Sequence, residues 1–148
     1  MKLLQIAILL LTVSTTACTA QKNALKIKSA SRGNTGFHGR PMPDEMNKPN
    51  TGKDFYRLEL TTKKLCTIEI VNLIVAADGG QILLHPTFER GLKKIKMTAG
   101  ETLQIYVERG ENLTVAKPNL TGEGLLTVKI RDKLVRFNIE KFTLILPQ

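Results

Sequence analysis

The strongest constraint on this chain is a period-two alternation of apolar and polar residues that recurs in short runs along most of its length. Leu126, Val128 and Ile130 alternate with Thr127 and Lys129, and Val135, Phe137 and Ile139 alternate with Arg136 and Asn138. Successive side chains of a strand point to opposite faces, so such runs read as strands with one dry and one wet side. Tyr56, Leu58 and Leu60 repeat the pattern, as do Cys66, Ile68 and Ile70, then Ile95 and Met97, then Leu103, Ile105 and Val107. Shorter runs around Leu25 and Ile27, and around Leu113 and Val115, add strands at about residues 24 to 30 and before Pro118.

Interruptions of the pattern carry information too. After Ile70 the apolar phase slips by one residue at Asn72 and resumes at Leu73 and Val75, which predicts a β-bulge. Asp78, Gly79 and Gly80 supply turn backbone before Gln81 to Leu84. In the last hairpin, a turn at Asp132 and Lys133 pairs Ile130 with Val135 and sets Lys129 opposite Arg136. Beyond Glu140 and Lys141 the phase slips again, so Phe142, Leu144 and Leu146 form a bulged continuation or cross to another sheet. No segment holds a helical period. Seven to nine short strands parted by turn residues predict an all-β antiparallel sandwich with Ig-like connections, with an irregular β-barrel as the alternative.

Two regions stand outside this pattern. Arg32 to Lys53 holds Gly33, Gly36, Gly39 and Gly52 with Pro41, Pro43 and Pro49, the composition of a long irregular loop. Loops of that length are uncommon unless functional or disordered. At the other exceptional region, Lys2 precedes an apolar run from Leu3 to Leu11 broken only by Gln5, and small or hydroxylated residues lead to Ala17. This has the layout of an export signal, and it is shorter than the roughly 20 residues a spanning helix needs. Thr15, Thr16 and Ala17 running into Cys18 resemble the lipobox of bacterial lipoproteins, although Thr15 stands where an aliphatic residue is preferred. That resemblance implies a diacylglycerol thioether on Cys18, acylation of its amine, and membrane attachment through two or more chains. Cleavage after Ala20 is the alternative, and it would release a soluble periplasmic or secreted protein. The expected organisation is a signal over 1–17, a lipidated N-terminus and tether over 18–23, and one sandwich domain over 24–148 with its long loop at 32–53. As a whole the chain is similar to small bacterial lipoproteins in which a lipid tether carries a β-sandwich, a likeness that brings no known active site.

With Cys18 lipidated, Cys66 is the single remaining thiol. No internal disulfide or multi-cysteine metal site can then form, and its place on a dry strand face predicts a buried, inert thiol. Nucleophilic catalysis finds little: Ser29 and Ser31 are the serines beyond the signal, and His38 and His85 have no second ligand at fixed spacing. Neither a catalytic set, a cofactor nor a metal is expected. Charge is the feature that points outward, because the chain carries a net +9 and only Lys2 of its cations lies in the signal. Lys93, Lys94 and Lys96 cluster on one segment, and Lys129 and Arg136 share the wet face of the last hairpin. These five are the candidate contacts for an anionic partner, an envelope polymer or another envelope protein. Nucleic acid is not expected, since no aromatic residues interleave with the cations. The function read from these features is non-enzymatic binding or scaffolding in the cell envelope. A small enzyme or enzyme inhibitor using loop 32–53 is the alternative.

Overall fold

The computed structural model describes residues 24–35, 52–77, 80–110, 114–115 and 120–145. Among them the alternating runs form eleven strands and one short 3-10 turn at Glu89–Gly91, arranged as two sheets packed face to face. The first sheet contains β1 (Leu25–Asn34), β2 (Asp54–Thr62), β5 (Thr87–Phe88), β7 (Thr102–Glu108) and β11 (Thr143–Leu144), in the order β11-β1-β2-β7-β5. The second contains β3 (Cys66–Ala77), β4 (Gly80–Leu84), β8 (Thr114–Val115), β9 (Gly124–Ile130) and β10 (Lys133–Ile139), in the order β10-β9-β3-β4-β8. A further strand, β6 (Lys94–Met97), pairs with the first half of β3, whose second half pairs with β4.

The dry faces meet between the sheets. Leu58 and Leu60 of β2 and Ile105 of β7 pack toward Ile68, Leu73 and Val75 of β3 and Leu126 and Val128 of β9, all fully buried. Each such side chain contributes about 1.5–3 kcal/mol by leaving water. Tyr56 and Phe142 close one end of the core edge to face, with ring centroids 5.2 Å apart. Cys66 is buried as expected, and burial raises its thiol pKa, with Arg131 pulling weakly the other way. The thiol therefore stays protonated at neutral pH.

The bulge lies where the phase slip put it, with the β3–β9 register shifting between Ile70 and Asn72. The last described strand crosses sheets, as one of the two readings had it, and β11 runs parallel to β1 through Ser31–Thr143 and Arg32–Leu144. Three local expectations need correction.

First, β1 runs on to Asn34, so Arg32, Gly33 and Asn34 belong to the strand and not to the loop. Gly33 is a packing residue, because a Cβ there would sit 2.5 Å from the Phe55 ring. Second, the last hairpin turns at Arg131 and Asp132, with φ of 50° and 64°, the left-handed pair a two-residue turn of this hand requires. Val135 thus faces Val128, Lys129 faces Leu134 and Arg136 faces Thr127. Both registers keep the same residues on the dry face, so alternation cannot choose between them. The far end of the hairpin favours the observed one: Gly124 faces Ile139, and a Cβ on Gly124 would stand 3.0 Å from the Phe142 ring. Third, the described strands number eleven and not seven to nine, because two-residue strands such as β5, after Pro86, carry no alternation to reveal them.

Candidate functional site

The candidate site lies on the wet face of the second sheet, where β3 runs between β6 and β9. Glu69 of β3 is paired with Lys94 of β6 on one side and Lys129 of β9 on the other. Neighbouring strands lie about 4.8 Å apart, so the two lysines start roughly 10 Å from each other with a carboxylate between them. One step along the face, Thr67 is paired with Lys96. The β9–β10 turn then brings Arg131 and Asp132 to the same end. Together Thr67, Glu69, Lys94, Lys129, Arg131 and Asp132 line a shallow groove of about 380 Å³.

Its three cations and two carboxylates stand close without closing on one another. Among the described residues one ion pair forms within 4 Å, Arg109 with Asp54, and it lies elsewhere. Farther along the same face of β3, past the bulge, the side-chain oxygen of Asn72 is buried and has no hydrogen-bond partner among the described residues.

Of the five cations singled out in the sequence, Lys94 and Lys129 line the groove and Lys96 stands beside Thr67. Lys93 precedes β6, and its carbonyl accepts the Ile70 N–H at 2.8 Å. Arg136 faces Thr127 on β10 and does not line the groove, and its expected opposition to Lys129 is absent. Sequence reasoning missed Arg131 as a groove cation, and Glu69, Thr67 and Asp132 as its polar partners. The turn dipeptide was the available signal for Arg131 and Asp132. Nothing local could show that residues 69, 94 and 129 stand abreast.

A second polar cluster fixes the two ends of the long connection between β1 and β2. Asn34 Nδ2 donates to Asp54 Oδ1 at 2.8 Å, Arg109 lies 3.5 Å from Asp54 Oδ2, and the Thr35 and Lys53 backbones bond at 3.0 Å. Tyr56 beneath it has a raised pKa, first through burial and then through the Asp54 charge. Residues 36–51, and His38 with them, lie outside the described residues, as does Cys18. His85 is exposed. Among the described residues no three of His, Cys, Asp and Glu come close enough to hold a metal ion, and no helix is long and apolar enough to cross a membrane. Compared with known proteins, the chain matches no family model, no curated protein and no solved structure.

Proposed function

We propose that this chain is an exported envelope protein, tethered to a membrane by lipid on Cys18, that works by binding or scaffolding another envelope component and not by catalysis. The observation that carries the reading is the run from Leu3 to Cys18, an apolar stretch ending in Thr15, Thr16, Ala17 and a cysteine. The groove on the second sheet supports the binding half of it, since cations without ion-pair partners are disposed to meet an external anion. The sandwich is read as Ig-like. In support, β1-β2-β7-β5 facing β10-β9-β3-β4 follows the order in which such folds distribute their strands.

The test is the intact mass of the membrane-fraction protein beside a Cys18→Ala variant. An acylated chain beginning at residue 18, lost in the variant, supports the tether. A soluble product beginning at Gln21 removes it and leaves a freely diffusing domain. A second reading, a small enzyme or enzyme inhibitor acting through loop 32–53, draws on the bonds among Asn34, Thr35, Lys53 and Asp54 that pin both ends of that loop. Replacing residues 36–51 by a Gly-Ser linker without loss of any cellular phenotype would sink it.

A further inference from the structure

We infer that the groove between β6, β3 and β9 is a binding site for an acidic polysaccharide, whose anionic groups meet Lys94, Lys129 and Arg131 while its hydroxyls meet Glu69, Thr67 and Asp132. The inference deepens the binding role proposed above by naming the chemistry of what is bound. It does not depend on the lipid tether.

The lining itself selects the ligand. A surface built for a dense polyanion, such as polyphosphate, a nucleic acid or an anionic bilayer, gains nothing from a carboxylate at its centre. Here Glu69 stands midway between two lysines, and Asp132 sits beside Arg131. A ligand with closely spaced charges would set one of them over Glu69 and be repelled. A carboxylated sugar chain carries about one charge per ring with hydroxyl donors between, so its charges can reach the flanking cations while hydroxyls donate to the central acid. The Thr67 hydroxyl adds a further acceptor to the same row along β3.

Size and rigidity agree with this. About 380 Å³ lies near the small end of ligand sites and is open on the solvent side, as a chain passing through requires. Glu69 and Lys129 are half-buried on strands whose opposite faces are locked in the core through Ile68, Ile70, Val128 and Ile130. The charged groups are therefore mounted on backbone that does not have to order on binding.

The experiment measures binding of the full chain to polygalacturonate, to inorganic polyphosphate at equal charge concentration, and to neutral dextran, each at low and high salt. Polygalacturonate is expected to bind more tightly than polyphosphate, dextran not at all, and affinity should fall with salt. Lys94→Ala and Lys129→Ala should each weaken polygalacturonate binding by about tenfold, the loss of one charge-assisted hydrogen bond. Lys26→Ala and Arg57→Ala, exposed on the wet face of the first sheet, should change it by less than about twofold.

Glu69→Gln is the discriminating variant, because it should weaken polygalacturonate binding while strengthening polyphosphate binding. If it strengthens both alike, or if the Lys26 and Arg57 variants cost as much as the Lys94 and Lys129 variants, the groove is an undirected cationic surface and the inference falls. Equal binding of polyphosphate and polygalacturonate by the unaltered chain overturns it as well. None of these outcomes bears on the acyl mass at Cys18, so failure of the tether and failure of the groove are separately visible.

Discussion

The two wet faces of the sandwich handle their carboxylates in opposite ways. On the first sheet, beside the exposed cations Lys26 and Arg57, the acids are bonded within the face: Gln104 Nε2 donates to Glu59 at 3.2 Å, the Tyr106 hydroxyl donates to Glu108 at 2.8 Å, and the Tyr106 ring lies 5.7 Å from that of Phe55. On the second sheet Lys94, Lys96, Lys129 and Arg131 stand around the half-buried Glu69, with Asp132 beside them, and among the described residues no ion pair closes there within 4 Å. Both faces cover the same core and both are built by plain alternation. The difference lies in which residues the nonlocal pairing sets side by side, and it separates a face whose acids are hydrogen-bonded within it from one whose central carboxylate stands unbonded among cations.

That contrast presupposes one cooperative core under both faces. Leu58→Ala on the first sheet and Leu126→Ala on the second should each cost about 2–5 kcal/mol in denaturant unfolding, with a single transition. A second transition untouched by one of the substitutions would make the faces properties of separable layers and break the comparison. Next in size is the turn that delivers Arg131 to the groove. Asp132→Gly relieves a left-handed residue and should stabilise by about 0.5–1 kcal/mol, whereas Lys133→Gly, inside β10, should destabilise by a similar amount. The reverse result would restore the turn at Asp132 and Lys133.

A smaller effect tests the electrostatics directly. Glu69→Gln leaves the surrounding cations facing one another and should destabilise by about 0.5 kcal/mol at low salt, fading at high salt. Glu59→Gln on the first face should show no such salt dependence. The smallest effect is confined to alkaline pH. Burial and then the bond to Glu108 push the Tyr106 pKa from 10.0 up to about 12. The stability this represents is fully present below the unfolded value of 10.0 and is lost as pH rises toward about 12. Tyr106→Phe should therefore flatten the pH dependence of the melting temperature in that window and leave the slope near neutral pH unchanged.

Much of this fold was legible in the residues alone. Alternation located β2, β3, β6, β7, β9 and β10, and the slip at Asn72 marked the bulge, because one inserted residue reverses every side chain that follows. What escaped notice was decided by contacts distant in sequence. Gly33 read as loop because its reason is the Phe55 ring lying over it. The hairpin register was ambiguous because a shift of two residues keeps every side chain on its face. Of the groove, the lysines were visible as charge, but in the alternation of Cys66, Ile68 and Ile70 nothing sets Glu69 apart from any other polar residue between them. Its meaning came from standing between two strands that begin 25 and 55 residues later.

The parallel pairing of β11 with β1 has a consequence for the order in which the chain can fold. Ser31 finds Thr143, and β1 acquires a neighbour on its second side, only when residue 143 is available. The central strand β3 likewise waits for β9 to flank it. Loop-closure entropy must be met before such distant pairs return anything, so folding belongs to the slow, millisecond-to-second class of β proteins. During synthesis from the N-terminus, the second sheet can be completed only once Ile139 has emerged and the first only once Leu144 has.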